Sequence, residues 1–339
     1  MTSTHHLPTK RLHFVFRLDA GRQFGNGHFM RSLVLCTELL GRGHSVAILS
    51  QSMPDPLQAL LSGQHIHLNL IDPQSDGVSE LAAMHQAQSI DWLVIDHYGI
   101  DMRWERAARP FTSKIMVIDD LANRHHDCDF LLDQNEPNRI QKQYAALLPP
   151  HCVQAIGWSN LLARPEFYDK GLQERSGILV FLGGGDHSEV LSACIEKLLV
   201  LPNFHPLKVL VSSDYMPLAH WQAQLSNHGQ AHCDLPNPAP LYRSANLAVV
   251  RCGFVSYELA LLGIPAVNIY TSPVQSEVAH ALERFGSGIA LASDHLSDTG
   301  RLNHALQRAA SLDPEPLNEK LSPGANQIAN FLEKFHEHR

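Results

Sequence analysis

The sequence predicts an α/β protein made of two Rossmann-like domains facing a cleft. Three observations predict it. Short apolar strands alternate with helices through the first half, a strand that breaks into glycines and restarts as a helix occurs in each half, and the chain is long. At 339 residues and 44% hydrophobic content it exceeds the roughly 250–300 residues at which a single core stops growing.

In the first half the pattern reads strand 12–17, helix 28–41, strand 45–49, helix 55–62, strand 66–70, helix 76–88, strand 92–95, helix 101–110 and strand 114–118. Such alternation specifies a doubly wound parallel sheet, and short strands are expected again at 129–132 and 152–156. The polar stretch 163–176, with a proline and a glycine, reads as a linker. A second unit opens with the strand Gly177–Leu182, the run Gly183-Gly184-Gly185-Asp186 and a helix over 188–200. The strand 207–211, a helix over 218–225, a proline-rich loop at 235–240 and the strand 247–250 follow. The expected organisation is therefore an N-terminal domain 11–162, a linker 163–176, a C-terminal domain 177–322 and a terminal helix 323–339. Two such domains take ligands at the carboxyl ends of their strands, which puts the expected site in the cleft between them.

A formal charge of −8 and a pI near 6.2, without any Lys/Arg run, argue against a nucleic-acid surface. No apolar stretch has the length of a membrane span, and the polar, proline-containing opening MTSTHHLPTKR is unlike a secretory signal, so a cytoplasmic protein without stable membrane insertion is expected. Six scattered cysteines, none in a Cys-x-x-Cys pair, fit a reducing compartment and imply neither a disulfide framework nor a zinc knuckle.

The densest chemistry lies in Phe14–Arg31, FVFRLDAGRQFGNGHFMR, where a buried strand meets a glycine-bracketed turn that presents His28 at a helix start. Gly25 and Gly27 lack a Cβ, so backbone can approach a ligand, and the unpaired amides opening the helix favour an anion. A plain tight turn with an exposed histidine is the other reading of this segment. Carboxylates gather at predicted strand ends: Asp19, Asp96 beside His97 and Tyr98, and Asp119-Asp120. One of them accepting the second imidazole N–H would fix the tautomer of His28 and make it a general base, although the sequence does not say which. In the second half, Gly253 to Ser256 open a helix able to hold a diphosphate, and Glu258 is placed to accept hydrogen bonds from a ribose; simple helix capping is the alternative. The cluster His125-His126-Asp127-Cys128-Asp129 lacks the spacing of a zinc motif, so no metal is expected.

Six ordered motifs together resemble one family: R-L-D at Arg17–Asp19, G-N-G-H-F-M-R at Gly25–Arg31, D-H-Y-G-I-D at Asp96–Asp101, I-D-D-L-A-N-R at Ile118–Arg124, L-L-D-Q-N at Leu131–Asn135 and G-G-G-D at Gly183–Asp186. It is the UDP-2,4-diacetamido-2,4,6-trideoxy-β-L-altropyranose hydrolase family of pseudaminic acid biosynthesis, with its spore-coat polysaccharide relatives. The resemblance runs from Arg17 to about Gly288 and implies the two-domain glycosyltransferase B-type (GT-B) fold. It also implies that His28 activates a water for inverting attack on the anomeric carbon, without metal or cofactor. Tyr98 and Asp96 match active-site positions, and Glu258 matches the acidic residue that holds the uridine ribose. The catalytic set expected is His28, Asp19, Asp96 and Tyr98. The substrate-binding set is Arg17, Gly25, Gly27, Arg31, Gly184, Gly185, Asp186, Gly253, Ser256, Glu258 and Gln275, and the expected partner is a UDP-sugar.

Two positions depart from the family pattern. Val274-Gln275 stands where an Asn-Gln pair is usual, and Arg251-Cys252 stands where small residues are usual, both at positions expected to contact sugar or phosphate. The competing functions are a glycosyltransferase of the same fold and a non-catalytic nucleotide-sugar binding protein. A dinucleotide oxidoreductase is disfavoured, because Arg31 replaces the third glycine of that fingerprint and Ser50-Gln51, not an acid, ends the second strand.

Overall fold

The computed structural model describes residues 10–21, 24–135, 143–169, 171, 173–183, 188–212 and 217–337. The chain divides into two compact units, one running to Ala163 and resuming at Pro323, the other covering Arg164–Ser322.

In the first unit the elements follow in order as β1 (His13–Leu18), α1 (Gly27–Gly41), β2 (Ser45–Ser50), α2 (Asp55–Gly63), β3 (His67–Leu70), α3 (Val78–Ala87), β4 (Trp92–Asp96), α4 (Met102–Ala108), β5 (Lys114–Ile118), β6 (Phe130–Asp133) and β7 (Val153–Ile156). The strands form one parallel sheet of order β3-β2-β1-β4-β5-β6-β7. Both of its faces are covered, which explains why β1, β4 and β5 are buried along their whole length and apolar except at their ends and at Arg17. Phe14, Phe16, Ile48, Trp92, Val94, Met116 and Ile118 pack on one face, and Val15, Ala47, Leu49, Leu93, Ile95, Ile115 and Val117 on the other. Helix α1 covers the first face with Phe29, Leu33, Cys36 and Leu39, spaced by three and four residues as one helical stripe.

The second unit contains β8 (Ile178–Phe181), α5 (Ser188–Leu199), β9 (Leu207–Val211), α6 (Leu218–Leu225), β10 (Gly229–Cys233), α7 (Ala239–Arg243), β11 (Leu247–Arg251), α8 (Phe254–Leu261), β12 (Ala266–Tyr270), α9 (Pro273–Arg284), β13 (Gly288–Ala292) and α10 (Thr299–Ala310). Its parallel sheet has the order β10-β9-β8-β11-β12-β13 around its own core of Val180, Ile195, Val209, Val249, Val267 and Leu306. The last helix, α11 (Gly324–Glu337), packs on the first unit, where Phe331 stacks on Phe130 at 4.4 Å and Glu333 accepts hydrogen bonds from Arg42 and His44 at 2.8 Å.

The segment read as linker holds a 3-10 turn at Pro165–Phe167, whose buried Phe167 ring lies 5.5 Å from that of Tyr242 in the second unit. The loop expected at 235–240 gives way at Ala239 to helix α7, with Pro238 at its N-cap and Pro240 in its first turn, where a missing N–H is no loss. In each sheet the strand order reverses once, between β1 and β4 and between β8 and β11. Crevices outside the carboxyl ends of strands at such reversals are where open parallel sheets take ligands. No helix among the described residues is long and apolar enough to cross a membrane.

Candidate active site

The reversal in the first sheet pairs Leu18 with Asp96, so the chain leaving β1 and the loop leaving β4 start side by side. Gly21 and Gly25 bridge across the turn after β1, with the Gly25 N–H donating to Gly21 at 2.7 Å. Gly25 takes φ +72°, a left-handed conformation that favours glycine, and delivers the chain into α1. His28, Arg31 and Ser32 then lie at i, i+3 and i+4, on one stripe of α1. All three converge on the buried Asp96. His28 Nδ1 lies 2.5 Å from Asp96 Oδ1, Arg31 donates from Nη2 to Oδ1 at 2.6 Å and from Nε to Oδ2 at 2.7 Å, and Ser32 Oγ donates to Oδ2 at 3.1 Å.

This arrangement decides the histidine tautomer. Burial alone would raise the Asp96 carboxyl, but Arg31 and His28 outweigh it and hold the group well below the usual carboxylate range. Facing an ionised carboxylate at 2.5 Å, Nδ1 must carry the proton. In the neutral imidazole Nε2 is then the nitrogen with the free lone pair, and it takes no hydrogen bond from the described residues. Arg31 Nη2 also lies 3.2 Å from Nδ1, but its hydrogen bond goes to the carboxylate.

A second carboxylate extends the cluster. Arg31 donates from Nη1 to Asp120 at 2.8 Å, and Tyr98 OH donates to Asp120 Oδ2 at 2.8 Å. Burial and the adjacent Asp120 push the Tyr98 hydroxyl well up, so it stays a donor. Its ring meets His28 edge-on at 4.4 Å, while much of the side chain remains exposed. A half-exposed aromatic against an imidazole restricts the imidazole's rotation and offers an apolar face beside Nε2.

Two expectations need restating. Asp19 does not reach His28: it is a buried acceptor for Arg17 at 2.8 and 3.1 Å, for the Gln51 amide at 2.7 Å and for His97 Nε2 at 3.0 Å. It ties the ends of β1, β2 and β4 together. Arg17 and Arg31 are likewise buried and committed to carboxylates, so their guanidinium groups organise the site from beneath. Asp120 and Ser32 join the cluster, although they stood outside the expected catalytic set. For Asp120 the signal was present in the doubled Asp at a strand end, and for Ser32 in its helical spacing from His28.

The loop 119–129 is held by its own ion network. His126 lies 2.6 Å from Glu105, and Arg124 donates to Asp119 at 2.6 Å. Burial lowers His126, but the carboxylates of Asp119 and Glu105 more than reverse this and bring it to about 9, which favours the imidazolium at neutral pH. Among the described residues no three or more His, Cys, Asp or Glu side chains are arranged to hold a metal ion.

In the second unit the reversal lies at Phe181 and Val250, next to each other in the register, with Arg251 and Gly253 following. Gly184, Gly185 and Asp186 lie outside the described residues. A Cβ at Gly253 would meet nothing within 4 Å, so the backbone opening α8 is unobstructed. Ser256 is buried and its Oγ accepts the Gly253 N–H at 3.3 Å, the cap expected as the plain alternative. Glu258 does something else. It is buried and paired with Arg164, whose Nη2 and Nε approach Oε1 at 3.1 and 3.4 Å. Burial raises Glu258 to about 7 despite that cation. Gln275 turns its Oε1 back to Thr271, accepting from N and Oγ1 at 2.9 Å. Arg251, ending β11, is part-buried, and burial pulls its guanidinium below its ordinary value.

Two parallel-sheet units, each with its polar groups at the carboxyl side of a strand-order reversal, give this chain the GT-B fold. Acinetobacter baumannii MurG matches it with a TM-score of 0.66 and 14% identity over 96% of this chain and 100% of that one. TcCGT1, solved in complex with UDP, matches with a TM-score of 0.60 and 14% identity over 96% and 100%. In sequence the chain is similar to the UDP-2,4-diacetamido-2,4,6-trideoxy-β-L-altropyranose hydrolase of Campylobacter jejuni, 28% identical over 254 residues, which are 73% of this chain and 88% of that protein. That similarity bears out the resemblance carried by the six motifs. No protein-family model matches the sequence.

Proposed function

We propose that the protein is a UDP-sugar hydrolase that cleaves the anomeric C–O bond of a UDP-linked diacetamido-trideoxy sugar. It would release UDP and free 2,4-diacetamido-2,4,6-trideoxy-L-altrose for pseudaminic acid synthesis. The observation that carries the reading is the His28–Asp96 pair, which engages Nδ1 and leaves Nε2 of the neutral ring as the base at the carboxyl edge of the first sheet. The similarity to the Campylobacter hydrolase supports the substrate class.

In this reading Nε2 of His28 takes a proton from water as its oxygen attacks the anomeric carbon. The imidazolium that forms is stabilised by Asp96, and the C–O bonding pair leaves on the β-phosphate oxygen of UDP, with inversion at carbon. Asp96 and Arg31 fix the ring, Asp120 fixes Arg31 and Tyr98, and Tyr98 borders the sugar. The open amides at Gly253 and the start of α8 meet the developing diphosphate charge, and Glu258 accepts the ribose hydroxyls. The step needs no metal.

The test is incubation with the UDP-sugar in ¹⁸O-water and no acceptor. Unlabelled UDP with label in the freshly released sugar is the expected result. Label in UDP would place cleavage at phosphorus and overturn the mechanism. Intact substrate that is consumed only when a hydroxyl acceptor is supplied would make the protein a glycosyltransferase.

A further inference from the structure

Glu258 presents a physical problem that its neighbours answer. A carboxylate in an apolar helix, flanked by Leu259, Ala260 and Leu261, should take up a proton at neutral pH and so lose an acceptor. The groups facing it are Arg164 and Glu166 from the turn before the second sheet, and Tyr242 from α7. Arg164 is the only cation of that set. Its guanidinium lies over the Phe167 ring, 4.9 Å from the centroid, and Phe167 is buried against Tyr242. The arginine is therefore held from its far side, with Pro236 O and Glu166 as further contacts at 3.5 and 3.6 Å.

Both of its nitrogens close to Glu258 address the same oxygen, Oε1. Oε2 accepts no hydrogen bond from the described residues. We infer that Arg164 is a positioning residue for nucleotide binding: it clamps Oε1 of Glu258 so that Oε2 stays available as an anionic acceptor for the vicinal hydroxyls of a ribose. The inference rests on the proposed role of Glu258 in holding UDP and adds the residue that makes that role possible at neutral pH. Nothing in the sequence points to Arg164, which stands 94 positions from its partner.

The pH dependence follows from the sign of the shift. Burial raises Glu258, Arg164 lowers it, and the balance is about 7. Removing the cation moves the group higher still, so the pH below which ribose binding fails moves upward. A neighbouring cation typically shifts a carboxyl by about 1–3 units. Arg164→Met should therefore weaken UDP about tenfold at pH 7.5 and recover to within about threefold at pH 9.5. Arg164→Lys, which keeps a charge, should hold most of the wild-type pH profile.

The experiment is UDP titration by calorimetry across pH 6–9.5 on the full chain for wild type, Arg164→Met and Arg164→Lys. It is paired with ¹³C NMR titration of the Glu258 carboxyl in the unliganded proteins. An upward move of both the binding profile and the carboxyl titration in Arg164→Met, largely reversed by Lys, is the expected outcome. Equal weakening at every pH, with the carboxyl titration unmoved, would overturn the inference and reduce Arg164 to a packing residue. If wild type binds no UDP while the carboxyl titration still shifts on removing Arg164, the nucleotide-binding role of Glu258 fails and the ribose part of the inference falls with it.

Discussion

The two sheets reverse strand order in the same way yet equip the reversal differently. At β1 and β4 the edge is crowded with charge: Asp96 alone receives His28, Arg31 twice and Ser32. At β8 and β11 the described residues offer an unobstructed glycine backbone, a part-buried arginine and a carboxylate behind the first turn of α8. A densely cross-linked polar cluster fixes one side chain in one tautomer, as proton transfer requires. An open backbone with few fixed groups suits an extended anion. The comparison separates turnover from affinity, so substitutions in the first unit should act on kcat and substitutions in the second on KM.

The largest effect tests the first half of that statement. His28→Gln should lower kcat by about 10²–10⁴-fold with UDP affinity near wild type, measured by UDP release and by calorimetry. Near-normal turnover would remove the first unit's histidine from the chemistry. Asp96→Asn comes next, at up to about 10²-fold in kcat, because an amide no longer demands the Nδ1–H tautomer, while Asp120 still pairs with Arg31. A loss confined to KM in either variant would dissolve the distinction between the two edges. In the second unit, Glu258→Gln should raise the UDP dissociation constant about tenfold, the usual size for a charged hydrogen bond, and leave kcat within a few-fold. A collapse of kcat there would mean that the two edges share the chemical step.

The two regions were also unequally readable from sequence, for physical reasons. Strands β1, β4 and β5 announce themselves because both of their faces are buried, and α1 because its apolar stripe keeps helical spacing. His28 and Asp96 fell at the ends of such elements, so the parallel topology alone brought them to one edge. Strands β10, β12 and β13 were not among the expected elements; in β10 and β13, GQAHC and GIALA are rich in Gly and Ala, with little β-branched or aromatic content, and pairing in the sheet holds them extended. Helix α7 was hidden behind its own prolines. The partners of Arg17 and Arg31 could not be read, because the carboxylates they pair with lie on other loops or across the strand end. Only the fold shows that Asp19, Asp96 and Asp120 already engage them. Arg164 was invisible because its partner is supplied by tertiary structure.

The smallest effect probes the cost of crowding carboxylates at the first edge. Tyr144 OH lies 2.9 Å from both Asp119 Oδ2 and Asp133 Oδ2, and one hydroxyl proton cannot serve two anions. Burial, with Asp120 and Asp119 nearby, raises Asp133 to about 7, so near neutrality it is half protonated and donates to Tyr144, which donates to Asp119. Because the folded value lies above the unfolded one of about 3.9, the folded state holds a proton that the unfolded state releases. That contribution is complete below pH 4 and is lost as pH rises through 7. Asparagine mimics the protonated acid: its carbonyl keeps the bonds from Asn135, at 2.8 and 2.9 Å in wild type, and its amide donates to Tyr144. Asp133→Asn should therefore melt about 2–4 °C above wild type at pH 8, equivalent to about 1 kcal/mol, with the gain vanishing at pH 4.5. A gain of equal size at both pH values would show that Asp133 titrates normally and that the carboxylates at this edge do not strain one another.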